Sequence, residues 1–196
     1  MPHRLDDITA LVLAGGRGSR MGGVDKGLTP LQGKPLVAHI IERLEPQVAH
    51  VLINANRNAE RYADFGKPVL TDADPAAYAG PLAGMLAGLQ ACTTPWLLTA
   101  PCDSPWLPDH YAQHMLDTAL AAGATVAMAS DGRRHQPVFC LIKRELVDSL
   151  QRFLAAGDRK IDLWTRAEQA VEVLFEDPRI FTNINTRDDL RRSDPN

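Results

Sequence analysis

The stretch Leu11-Val-Leu-Ala-Gly-Gly-Arg-Gly-Ser-Arg-Met-Gly-Gly-Val-Asp-Lys26 carries an apolar strand straight into a glycine-rich loop that bears several cations. Gly15, Gly16, Gly18, Gly22 and Gly23 permit positive φ and close backbone approach, so successive N–H groups can face one concavity and bind phosphate oxygens. Arg17, Arg20 and Lys26 add full charges, arginine as a planar fork and lysine as a compact point charge. An ordinary turn also uses glycines and solvated cations, but their density directly after a strand favours a cradle for polyphosphate. Two common nucleotide signatures are excluded. A dinucleotide fingerprint would need a third glycine where Met21 stands, and a Walker A loop would need lysine and a hydroxyl residue after Gly27, where Leu28 follows.

Outward from this loop, short apolar runs at residues 8–14, 48–53, 96–100, 125–129, 137–142 and 171–175 read as strands, with a further one at 181–184. Helix-period segments lie between several of them. Pro35 suits the first turn of a helix whose Leu36, Val37, Ile40, Ile41 and Leu44 form one face before Pro46 stops it. A second helix is expected over 81–90, with Leu82, Met85, Leu86 and Leu89 inward. The alternation predicts an α/β fold with a mostly parallel sheet covered by helices on both faces, and ligands at the strands' carboxyl ends. The glycine loop after Ala14, Asn54, Asp72 and Asp103 would meet at that edge.

Several residues there have two readings. Asp103 at a strand end suits a hard divalent ion such as Mg²⁺, which uses one or two carboxylates with phosphate oxygens and water, but Asp103-Ser-Pro105 is also a good capped turn. Arg20 and Lys26 could neutralise a triphosphate and its leaving group, or serve solubility. Asn54 and Asp72 could each read a base or a sugar, or close a turn.

Leu13-Ala-Gly-Gly-Arg-Gly-Ser-Arg-Met-Gly22, with Asp25-Lys26 and Gly33-Lys-Pro-Leu36, resembles the nucleotidyltransferase signature. Together with Gly22-Gly-Val-Asp-Lys-Gly27, Asn54-Ala-Asn56, Gly80-Pro-Leu-Ala-Gly84, Pro101-Cys-Asp103 and Asn183-Ile-Asn-Thr186, the chain resembles the molybdenum cofactor guanylyltransferases from about Leu11 to Leu190. The resemblance implies a single-domain, Rossmann-like, three-layer nucleotidyltransferase fold over 1–196, in which the part to about residue 105 binds nucleotide and the remainder mainly faces the acceptor. It implies that Leu13, Ala14, Gly15, Gly16, Lys26, Asn54, Asp72 and Asp103 hold GTP. Arg20, Lys26 and Asp103 would carry the chemistry, with Mg²⁺ on Asp103, while Gly80, Gly84, Arg159, Asn183 and Asn185 would hold molybdopterin. The implied reaction joins GMP from GTP to the terminal phosphate of molybdopterin cofactor. By analogy, an acceptor chaperone or a target molybdoenzyme would receive the product. Paired asparagines also suit a strand end followed by a helix cap. The competing expectations are a cytidylyl- or sugar-nucleotidyltransferase, and a module that binds GTP without turnover. Lys26 and Asp103 together speak against simple binding.

Composition bounds the rest. At 196 residues and 45% hydrophobic the chain can bury a core unaided, and a formal charge of −3 gives no basic excess for nucleic acid or an anionic membrane. No apolar run approaches the ~18 residues of a membrane span, and the acidic start is unlike a secretory signal, so a cytoplasmic protein is expected. Cys92, Cys102 and Cys140 form no Cys-x-x-Cys pair, and Cys102 reads as a small strand residue. His110 and His114 have metal-ligand spacing but no zincin glutamate between them, and read as a solvated helix face. The sequence assigns no role to Gly18-Ser19 or to Arg133-Arg-His135.

Overall fold

The strand of the opening stretch is β1 (Leu5–Leu13), and in the computed structural model it lies inside a seven-stranded sheet. The structure describes residues 5–14, 25–73, 80–184 and 189. Ile8, Ala10 and Val12 belong to the core on one face of β1, while Leu11 belongs to the core on the other. A strand covered on both faces reads as a continuous apolar run, which is why this one was so legible.

A small hairpin follows the loop region, β2 (Pro30–Leu31) paired antiparallel with β3 (Lys34–Pro35). Gln32 and Gly33 make its turn with φ of 51° and 75°, the pair of positive values that a two-residue hairpin turn needs. Because β3 takes up Pro35, that residue stands at the N-cap of α1 (Leu36–Leu44) instead of within its first turn. The expected face is the one buried: Leu36, Val37, Ile40, Ile41 and Leu44.

The remaining elements in order are β4 (Val48–Asn54), α2 (Ala59–Ala63), β5 (Val69–Leu70), α3 (Pro81–Ala91), β6 (Trp96–Pro101), α4 (Tyr111–Ala122), β7 (Val126–Ser130), β8 (His135–Lys143), α5 (Val147–Ala155), α6 (Ile161–Ala167) and β9 (Val171–Leu174). The sheet runs β5-β4-β1-β6-β8-β7-β9. Its pairings are parallel except those of β8, which is antiparallel to β6 and to β7. On one face Val37, Ile40 and Leu44 of α1 share a core with Tyr111 and Met115 of α4. On the other, Leu82 and Met85 of α3 pack with Leu150 of α5 and Trp164 of α6. Two helical layers thus enclose the sheet, as the sequence predicts.

Residues 181–184 do not form the expected strand. Pro178–Phe181 is a 3-10 turn in which the Asp177 carboxylate accepts from Arg179 N, and Phe181 is spent on ring contacts with Phe139 and Phe175 at 5.0 and 6.0 Å. Proline at the head of the turn offers no N–H to a ladder, and the aspartate cap makes the turn the better local solution. Ile184 then packs on Leu31 and Leu36. Among the described residues no helix is long and apolar enough to cross a membrane.

Candidate active site

The register of the parallel strands brings their carboxyl ends level. Leu13 faces Asn54 on β4 and Pro101 on β6, and Asn54 faces Leu70 on β5. The exit of β1 is tied to both neighbours: Ala14 N donates to Asn54 O at 2.8 Å and Cys102 N to Leu13 O at 3.0 Å. Leu13, Ala14, Asn54, Asp72 and Asp103 therefore come to one edge, where open α/β sheets bind ligands.

Lys26 opens a 3-10 turn (Lys26–Leu28), and its Nζ stands 3.3 Å from Asp103 Oδ2. The stretch around Asn183 joins them. Ile184 N donates to Asp103 O at 2.8 Å, and Ser104 Oγ donates to Asn183 Oδ1 at 2.6 Å. Lys26, Asp103 and Asn183 are thus neighbours.

Asp72 sits in a socket of amides. Asn54 Nδ2 donates to its Oδ1 at 2.9 Å and Asn56 Nδ2 to its Oδ2 at 2.7 Å, while Asp72 N donates to Asn56 Oδ1 at 2.8 Å. Asn54 is 3% exposed and Asp72 8%. Gly84 explains how Asn54 fits: a Cβ on Gly84 would overlap Asn54 Oδ1 and lie 2.8 Å from Leu13 Cδ2. Asn54 is consequently enclosed between Asp72 and helix α3, whereas the carboxylate of Asp72 retains unused lone pairs. Asn56 has no role in the sequence reading; its place two residues after Asn54 was the available signal.

A second socket lies behind Lys26. Tyr62 Oη donates to Asp25 Oδ1 at 2.5 Å and Asn58 Nδ2 to Asp25 Oδ2 at 2.9 Å. Burial, reinforced by the neighbouring Cys102 and the bond to Asp25, pushes the Tyr62 hydroxyl far above its usual range, so it is a neutral donor. The Cys102 thiol is likewise pushed up, first by burial and then by Asp103; it is a small buried side chain, but it lies in the turn just past β6 and not on the strand as expected. The histidine pair stays at the surface, His110 exposed as the N-cap of α4 and His114 half-buried, and both rings also lie against Phe175, with His114 Nε2 bonded to Leu174 O at 2.9 Å.

A family model for the MobA-like NTP transferase domain matches residues 10–171. A molybdenum cofactor guanylyltransferase of Cupriavidus necator is 54% identical over 191 residues, covering 95% of this chain and 96% of that protein. One from Ralstonia nicotianae is 56% identical over 196 residues, covering 95% of each. The chain belongs to the molybdenum cofactor guanylyltransferase family. Its fold is also that of the molybdopterin-guanine dinucleotide biosynthesis protein A of Archaeoglobus fulgidus, at a TM-score of 0.80, 23% identity and coverage of 95% and 96%.

As a member of this family the protein is a nucleotidyltransferase, and the alternatives of another nucleotidyl specificity or of GTP binding without turnover are not favoured. Such an enzyme generally needs a divalent metal. The residues present fit one in a particular way: among the described residues no group of three or more histidine, cysteine or acidic side chains forms a cage. A single carboxylate, Asp103, stands at the strand end. That donor set suits a hard ion whose remaining ligands are phosphate oxygens and water.

The other expected family sites divide. Gly80, with φ of 69°, stands at the N-cap of α3 at this edge. β8 runs antiparallel to β6, and α5 after it packs against α3. Arg159 follows α5, exposed, with its guanidinium on Leu154 O and Asp158 O at 2.7 Å each. Gly84 is buried against Asn54. Gly15, Gly16, Arg20 and Asn185 lie outside the described residues.

Proposed function

We propose that the protein transfers GMP from GTP to the terminal phosphate of molybdopterin cofactor, forming the guanine dinucleotide cofactor and pyrophosphate. The observation that carries this reading is the Lys26–Asp103 pair at 3.3 Å, at the edge where the glycine stretch leaves β1. A phosphate oxygen of the acceptor attacks the α-phosphorus; that P–O bond forms as the bond from the α-phosphorus to the bridging oxygen breaks, and pyrophosphate leaves with the electron pair. Phosphate monoesters carry most of their second charge near neutral pH, so the attacking oxygen is already ionised and no general base is required. Alignment and charge neutralisation supply the catalysis.

Asp103 would hold Mg²⁺, which when bound would offset the charge of the triphosphate at this strand end. Lys26, with Arg20, neutralises the charge that develops on pyrophosphate. Leu13, Ala14, Gly15 and Gly16 offer backbone to the nucleotide. Asp72, fixed by Asn54 and Asn56, accepts from guanine N–H groups, and Asn54 contributes by holding it. Gly80, Arg159, Asn183 and Asn185 face the pterin-bearing substrate, and Gly84 serves it indirectly through the close approach of α3 to the nucleotide edge. Residues 1–196 act as one domain whose part to about 105 binds nucleotide, the remainder facing the acceptor. The reading places the reaction in the cytoplasm, with an acceptor chaperone or a target molybdoenzyme taking the product.

The test is a calorimetric titration with Mg²⁺ against GTP, CTP, UTP and ATP. Selective binding of GTP is expected, and preference for CTP would contradict the guanine assignment.

A further inference from the structure

Asp25 has no part in the chemistry above, yet it is gripped on both carboxylate oxygens. Its partners come from a separate element: Tyr62 lies within α2, at 2.5 Å and 0% exposed, and Asn58 stands at the head of α2, at 2.9 Å. Asn58 has φ of 52°, a left-handed conformation that asparagine tolerates better than most residues. The main chain of Asp25 is held as well. Its carbonyl accepts from Leu28 N at 3.2 Å and Thr29 Oγ1 at 3.1 Å, and Lys26 O accepts from Thr29 N at 3.0 Å. Gly27 seals the arrangement, because a Cβ there would overlap Tyr62 Oη and lie 3.2 Å from Cys102 Sγ, the residue before Asp103.

Lys26 thus leaves a backbone that is clamped on either side, by the carboxylate socket at Asp25 and by close packing at Gly27. A lysine side chain has many rotamers, and the root from which it leaves decides which of them reach a given point. Burying a hydroxyl against a carboxylate is costly unless the bond is made well, and here it is made to the residue directly before the catalytic lysine. We infer that Asp25 is a positioning residue, gripped by Tyr62 and Asn58 of the α2 segment so that the turn after the glycine stretch aims the Lys26 ammonium at Asp103. The inference rests on the role proposed for Lys26.

Two substitutions each remove one grip and keep the backbone: Tyr62→Phe preserves the ring, and Asn58→Gly suits the left-handed conformation. Each is measured for GMP transfer in the otherwise unaltered protein and again beside Lys26→Met. The expected result is a kcat about 10-fold lower for either variant with KM for GTP changed less than about threefold, and less than about twofold further loss in the Lys26→Met background, since groups that act as one unit are not additive. An equal loss with and without Lys26 would overturn the inference, as would an unchanged kcat in both variants. Failure of the reading on which it rests looks different: either the unaltered protein transfers no GMP, or Lys26→Met retains full activity.

Discussion

Lys26 Nζ and Asp103 Oδ2 lie 3.3 Å apart although 77 residues separate them in the chain. The approach is made by three strands ending level and by a short turn that starts at Lys26, so a cation and a carboxylate meet at one edge of the sheet. Asp103→Asn, which keeps the shape and removes the charge, should lower kcat by about 10²–10³-fold with the fold intact. Steady-state transfer, with circular dichroism as the check on folding, decides it; activity within about threefold of the parent would remove Asp103 from the metal role.

The amide socket of Asp72 makes a separate demand on binding. Asn56→Ala deletes the bond to Asp72 Oδ2 and the acceptor for Asp72 N while leaving Asn54 in place. KM for GTP should rise about 10-fold with little change in kcat, because the loss falls on ground state and transition state alike. Preference for GTP over ATP should shrink when both are titrated calorimetrically.

Gly84→Ala introduces a methyl where Asn54 Oδ1 and Leu13 Cδ2 already stand. Overpacking of this kind costs about 1–3 kcal/mol, so a fall in the urea midpoint is expected. Since the displaced group is Asn54, GTP affinity measured by calorimetry should fall too. A variant that lost only acceptor binding would place Gly84 in direct contact with the pterin substrate instead.

The buried acids set an alkaline limit on stability. Burial raises the thiols of Cys102 and Cys140 from an ordinary 9.0, and the hydroxyl of Tyr62 from 10.0. Above those ordinary values the unfolded chain releases protons that the folded chain keeps. Stability is therefore at its full value below about pH 9 and declines as pH rises toward the folded values. Urea midpoints taken from pH 7 to about pH 10.5 should stay level and then fall. Cys140→Ala should flatten that fall, and the same slope in the variant would contradict the assignment.

The legible parts of the sequence were those whose signal is local. β1 and β6 announce themselves as apolar runs because helices cover both of their faces, and α1 and α3 because their buried residues keep a helical period. The β2–β3 hairpin escaped notice because two-residue strands carry no alternation. Residues 181–184 looked strand-like because the Asp177-Pro178 cap, which commits the chain to a turn, lies outside the apolar run itself. The site divided in the same way. Lys26 and Asp103 sit in recognisable motifs, whereas the bond from Asn56 to Asp72 spans 16 residues and that from Tyr62 to Asp25 spans 37. No spacing rule joins partners that only the sheet order brings together. The contact of His110 and His114 with the Phe175 ring is likewise made by a distant part of the chain.

The most direct measurement follows the α-phosphorus. GTP labelled at its α-phosphate is incubated with Mg²⁺, molybdopterin cofactor and the protein, and the products are separated. The account predicts label in a guanine dinucleotide cofactor, with one pyrophosphate released for each dinucleotide formed. Label remaining in GTP, or appearing only as free GMP, would contradict it.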